Sequence, residues 1–195
     1  QGKSYALNLG IKEAEGEIIA FTDDDVIVGK NWIQNIYYCF KNKEIDLLGG
    51  NVKPLFDTEI PKWMNINILK GPLGYYDLSE KYIENFERRI SPIGANISIR
   101  KGSYYKFGGF SLRGRAQDVE FCEKWNKLGV KIAYSQDITI YHRIDSRMLT
   151  KNYFRLLLEV LMLAVKIFIN SVHLADKAIS LFIVHYSLFF SLLRG

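Results

Sequence analysis

A chain of 195 residues with 48% hydrophobic content can bury one substantial core and leaves little room for two independent ones. Its 26 basic and 21 acidic residues give a net charge of +5, which favours an anionic partner, whether nucleotide, polyanion or acidic lipid surface. Cys39 and Cys122 lack metal-like spacing and are too few for a disulfide scaffold, so a reducing compartment is expected.

The chain opens on Gln1, and its first strongly apolar strand lies beside an acidic cluster. A nucleotide-binding α/β sheet ordinarily has earlier strands, so an N-terminal portion carrying them is expected upstream. In chain order, the pattern predicts a short helix over 8–15, stopped by Gly16, and a buried strand over 17–21. Asp23, Asp24 and Asp25 form the turn that follows. Trp32, Ile33, Ile36, Tyr37 and Phe40 predict a helix over 30–42 with one stripe facing a sheet, and 47–52 predicts the next strand, closed by Pro54. Strand, helix and strand in this order imply a βαβ crossover. Residues 56–84 predict an irregular, partly helical excursion. The alternation of Ile93, Ala95, Ile97 and Ile99 with polar neighbours predicts a strand over 93–100. A short helix over 101–107 should stop at Gly108-Gly109, and an amphipathic helix over 118–128 at Gly129. Residues 132–140 supply a last strand that delivers His142. Two apolar helical runs, 153–169 and 174–193, close the chain, and their composition suits an interfacial or re-entrant hairpin better than a span.

Three successive carboxylates at the end of Ile18-Ile19-Ala20-Phe21 repel one another unless a cation or basic groups offset them. Neighbouring side chains in a turn point to different sides, so one can bind a metal while another reaches a ribose hydroxyl or water. A solvated, helix-capping cluster is the competing explanation. Asp118, at the start of its helix, suits either an N-cap or a rigid base that accepts a proton from an attacking hydroxyl. His142 suits a ligand to a hard cation, a phosphate contact or a half-buried packing residue. Arg113, Arg115 and Arg143 suit neutralisation of a diphosphate or simple solvation. The scattered basic residues form no stripe with interleaved aromatics, which argues against nucleic acid as a partner.

Taken in order, these pieces resemble a family 2 glycosyltransferase with the GT-A fold. They are Ala6-Leu7-Asn8-Leu9-Gly10, Gly16-Glu17-Ile18-Ile19-Ala20-Phe21-Thr22-Asp23-Asp24-Asp25, Asn31-Trp32-Ile33, Gly94-Ala95-Asn96, Gly108-Gly109-Phe110, Gln117-Asp118-Val119 and Tyr141-His142. The resemblance implies a partial GT-A domain over 1–149, an α/β sheet flanked by helices that binds a nucleotide sugar, followed by the apolar helical segment 150–195. It implies Mg²⁺ or Mn²⁺ held by Asp25, Asp23 and His142, with Asp25 in direct contact. Asn8, Asp23, Asp24 and Arg115 would bind a nucleoside-diphosphate sugar, and Asp118 would be the catalytic base. Leu7 and Gln117 stand where the family commonly has Arg and Glu, and the family's nucleobase-binding start is missing, so the 195 residues are expected to be an incomplete enzyme.

The activity implied is metal-dependent, inverting sugar transfer to a hydroxyl of a saccharide or lipid-linked acceptor, in cell-surface glycan or glycolipid synthesis. The expected place is the cytoplasmic face of a membrane, held peripherally or anchored through the C-terminal helices. Nucleotidyl transfer, and a non-catalytic membrane-attached scaffold with a transferase-derived fold, are the alternatives.

Overall fold

The computed structural model describes residues 2–85, 90–112 and 117–172. Helices and strands follow in the order α1 (Lys3–Glu13), β1 (Ile18–Phe21), β2 (Val26–Val28), α2 (Trp32–Asn42), β3 (Leu47–Phe56), β4 (Tyr82–Glu84), β5 (Ile97–Arg100), α3 (Lys101–Phe107), α4 (Gln117–Lys127), β6 (Ile132–Ile144) and α5 (Lys151–Val172). This is a mixed α/β architecture. The chain divides into two compact units, residues 1–55 with 70–143 and residues 56–69 with 144–195.

In the first unit the strands lie in the order β1-β5-β3-β6-β2, with β4 also paired to β6. β5 runs antiparallel to both β1 and β3, so these two are parallel to each other but separated by β5. The expected crossover through α2 therefore skips one strand. Because β3 is covered on both faces, Leu47 and Leu48 enter different clusters although they are adjacent. On one face Ile11 of α1 and Phe121, Cys122 and Trp125 of α4 pack over Leu47, Ile97 and Ile99. On the other, Trp32, Ile36 and Phe40 of α2 cover Leu48, Val52 and Ile140. The α2 stripe is thus narrower than expected: Ile33 and Tyr37 lie 74% and 55% exposed.

Several boundaries differ from the sequence expectation for physical reasons. α1 begins at Lys3, five residues before the expected start, and buries only Ser4 and Ile11, so its periodicity is faint. β2 pairs Val26 with His142 and Val28 with Ile140, a long-range contact with no local signature. β3 runs through Pro54, whose fixed φ is compatible with extended backbone. Residues 94–96 form a 3₁₀ turn, so only 97–100 are strand. Arg100 then ties α2 to the sheet: Nε donates to Ile45 O at 2.7 Å and Nη2 to Phe40 O at 2.6 Å.

In the second unit Thr150 caps α5 by accepting the Tyr153 N–H on Oγ1 at 3.2 Å, and Trp63 meets Phe154 edge-on at 5.9 Å. Hydrogen bonds from the Arg147 side chain and backbone hold the Asp145 carboxyl down to about 2. The expected second apolar run, 174–193, lies outside the described residues. Among the described residues no helix is long and apolar enough to cross a membrane.

Candidate active site

The acidic run divides where β1 ends, because the chain turns at Asp24-Asp25 and enters β2. Asp23 faces α1, where Lys3 Nζ lies 3.5 Å from Oδ1. Asp25 faces β6 instead: its backbone carbonyl accepts the Arg143 N–H at 2.9 Å, and Oδ2 lies 3.2 Å from His142 Nε2. Asp24 is exposed in the turn between them.

A cavity of about 140 Å³ opens beside Asp23. Lys3 and Leu7 of α1, Phe21 and Thr22 form one side, and Gly94, Ile97 and Phe110 another. Gln117 and Asp118, from the first turn of α4, complete it. Two of the expected carboxylates, Asp23 and Asp118, therefore line a single small chamber although they are 95 positions apart in the chain.

Asp118 is not an N-cap. It lies inside α4, and its oxygens accept the Gly94 N–H at 2.9 Å and the neighbouring Val119 N–H at 3.0 Å. Each carboxylate oxygen has two lone pairs, so capacity for an incoming hydroxyl remains on both. Gly94 permits this approach: a Cβ there would sit 3.2 Å from Asp118 Cβ, closer than ordinary van der Waals contact. One turn further along α4, burial and the nearby Asp118 charge push the Cys122 thiol up to about 12, which leaves it a packing residue and no nucleophile.

His142 is oriented from behind. Its Nδ1 lies 3.3 Å from the Leu73 carbonyl oxygen, and Nε2 is turned to Asp25. A carboxylate and an imidazole nitrogen that meet in this way share a proton or a cation. Among the described residues no group of three or more His, Cys, Asp and Glu side chains that could hold a metal ion is found; Asp25 meets His142, and Asp23 meets Lys3.

The remaining expected residues fare differently. Both polar atoms of Asn8 are engaged within the protein: Oδ1 accepts from Phe110 N at 3.0 Å and from the Tyr104 hydroxyl at 3.2 Å, and Nδ2 donates to Phe110 O at 2.8 Å. Arg113 and Arg115 lie outside the described residues. Lys3 was not singled out in the sequence because the helix was expected to begin at Asn8. A helix begun at Lys3 would have put Lys3 and Leu7 four apart on one face.

Comparison with known proteins extends this picture. The model of the family described as glycosyl transferase family 2 matches residues 1–115, a span that includes the acidic turn, the Gly94 turn and the Gly108–Phe110 segment. A glucosyl-dolichyl phosphate glucuronosyltransferase of Haloferax volcanii is 22% identical over 158 residues, covering 74% of this chain and 48% of that protein. The glycosyltransferase GlyG of Streptococcus pneumoniae serotype 4 is 40% identical over 50 residues, 26% of this chain and 17% of the relative. The crystal structure of S. aureus TarS 1–349 in complex with UDP-GlcNAc shares the fold, with a TM-score of 0.53 at 18% identity over 74% of this chain and 39% of TarS. The chain thus spans about half the length of the archaeal relative and less of the others. With more than half of its residues, the acidic turn among them, inside the matched span, the chain belongs to glycosyl transferase family 2.

Proposed function

We propose that this chain carries the reaction cleft of an inverting glycosyltransferase that moves a sugar from a nucleoside diphosphate to an acceptor hydroxyl. The observation that carries this is the single cavity lined by Asp23 at the end of β1 and Asp118 at the start of α4. Asp118, fixed by the Gly94 and Val119 N–H groups, accepts the proton of the hydroxyl as its oxygen attacks the anomeric carbon from the face opposite the diphosphate. One displacement forms the new C–O bond, breaks the bond to the diphosphate and inverts the anomeric centre. No second carboxylic acid is needed for the leaving group, unlike glycoside hydrolysis, because a diphosphate leaves as an anion.

Asp25 and His142 fit a divalent cation in donor type, one carboxylate oxygen and one imidazole nitrogen backed by a carbonyl. Mg²⁺ or Mn²⁺ bound by them supplies positive charge against the diphosphate. Asp23 lies with Lys3 at the cavity wall, suited to hydroxyls of the sugar nucleotide, and the exposed Asp24 adds acceptor oxygens on the same turn. The UDP-GlcNAc bound to TarS supports a nucleotide sugar as donor.

This assignment is tested by donor binding in the intact protein with and without Mn²⁺. Asp25→Asn should remove at least about 10-fold of metal-supported affinity, the scale of a lost metal-site contact. Equal binding with and without metal, in wild type and variant alike, would contradict the cation role of Asp25.

For the acceptor, the name of the archaeal relative supports a lipid-linked molecule, in glycolipid or cell-surface glycan synthesis. α5 exposes Leu156, Val160 and Met162, and the chain is basic, so we place it against the anionic, cytoplasmic face of a membrane through this helix. The Leu156→Glu/Val160→Glu double variant changes only exposed positions. It should lose co-flotation with vesicles of mixed neutral and anionic lipid while staying folded; unchanged flotation would remove α5 as the contact.

A further inference from the structure

On the footing of the transfer reaction proposed above, we infer that Asn8 is a positioning residue that acts through Phe110 to hold the Asp118 side of the cavity against the Asp23 side, and does not bind the sugar nucleotide. Asn8 stands on α1 and grips the backbone of Phe110 twice, taking its N–H and donating to its C=O, in the manner of a neighbouring strand. The Tyr104 hydroxyl of α3 completes the clamp from the opposite direction. Gly109 makes so close an approach feasible, since a Cβ there would run into the Tyr104 ring and Asn8 Oδ1. Gly108, at φ +82, turns the chain into this segment with a backbone that side chains rarely adopt.

What the clamp holds is a wedge. The Phe110 ring is 7% exposed, lines the cavity, and lies between the two elements that carry the carboxylates. On one side it meets Phe21 edge-on at 5.8 Å, two residues before Asp23. On the other it stacks on Phe121 at 4.2 Å, three residues after Asp118 and on the same face of α4. Phe121 continues to Trp125 at 4.6 Å, and the Trp125 indole N–H returns to Gly108 O at 3.0 Å, closing the loop of contacts. A shift of Phe110 moves α4 relative to β1, and with it Asp118 relative to Asp23. Glycosyl transfer depends on that separation, because base, hydroxyl and anomeric carbon must be in line. The same ring is part of the chamber wall, so its displacement would admit water, and water reaching the anomeric carbon would hydrolyse the sugar nucleotide with no acceptor glycosylated.

The experiment compares intact wild type with Asn8→Ala, Phe110→Leu and the double variant, following sugar transfer, acceptor-free donor hydrolysis and donor KM at a temperature where circular dichroism shows each to be folded. Asn8→Ala should lose about 10- to 100-fold in kcat, the scale of an ångström-sized misplacement. Donor KM should stay within about threefold, as for a residue that makes no ground-state contact with the donor. The share of donor hydrolysed should rise. Phe110→Leu keeps the backbone hydrogen bonds and removes ring packing alone; it should behave alike and carries the test should Asn8→Ala not fold. The double variant should be no slower than the slower single variant, as expected where two residues act through one contact. An active wild type with unaltered kcat in Asn8→Ala, or a rise confined to donor KM, would overturn the positioning role and leave the transferase assignment intact. A wild type inert toward every nucleotide sugar would overturn the transferase assignment itself.

Discussion

Replacing Asp118 by Asn should abolish most sugar transfer while leaving the protein folded and able to bind its donor. The carboxamide has nearly the same shape and one oxygen that can still accept the Gly94 N–H, so the contact that ties α4 to the 3₁₀ turn at 94–96 survives in part. What disappears is the group that takes the proton from the attacking hydroxyl. Loss of a positioned base costs about 10²- to 10⁴-fold in rate. Donor KM should change by less than about threefold, since the lost interaction belongs to the transition state. Steady-state kinetics on the intact protein decide this, and turnover close to wild type would remove Asp118 as the base. A KM effect alone would make it a binding residue.

The largest effect on stability should come from Asn96, a residue whose importance was not visible in the sequence beyond its place in Gly94-Ala95-Asn96. Its side chain is 1% exposed and fully used. Oδ1 accepts the Trp32 indole N–H at 2.9 Å, and Nδ2 donates to Asn51 O at 2.9 Å and Ile138 O at 2.8 Å. One amide thereby joins α2, β3 and β6 at the point where β5 begins. Gly50 leaves room for it, as a Cβ there would run into the Asn96 amide and the Ile138 carbonyl. Asn96→Ala strands a buried indole N–H and two carbonyl contacts at once, each with a desolvation penalty of about 1–3 kcal/mol. Together, with partial relaxation around the site, they should come to about 3–5 kcal/mol. Urea unfolding measures it. Trp32→Phe, which frees only Oδ1, should cost less, and the pair should be strongly non-additive. A loss under about 1 kcal/mol for Asn96→Ala would show that the network is dispensable.

Local pattern carried much of the fold. α3 and α4 were readable because each ends at a glycine, Gly108 and Gly129, both with positive φ, and α4 adds a buried stripe of Phe121, Cys122 and Trp125. β1 was readable as an apolar run before acidic residues. Elements defined by distant partners were not. β2 is three residues long and exists through its pairing with 140–142. α1 has almost no buried face and no side-chain cap, so its first turn, with Lys3, gave no signal. The chemistry divides in the same way. Residue type and order brought out Asp23, Asp25, Asp118 and His142, but spacing could not say that Asp23 meets Lys3 of α1 while Asp25 meets His142 of β6. That separation comes from the turn at Asp24 and from β2, a strand the sequence did not announce. Asn8 illustrates the same limit: its match to the family's early motif was legible, whereas its clamp on a residue 102 positions away was not.

Crystals of the intact protein grown with Mn²⁺ and a slowly turned-over analogue of its nucleotide sugar test the central claim, that carboxylates from β1 and α4 converge on one reaction centre. The anomeric carbon should lie inside the chamber beside Phe110, with Asp118 on the face away from the diphosphate and the metal against Asp25 and His142. A sugar bound outside that chamber, with Asp118 still directed only at Gly94 and Val119, would contradict it.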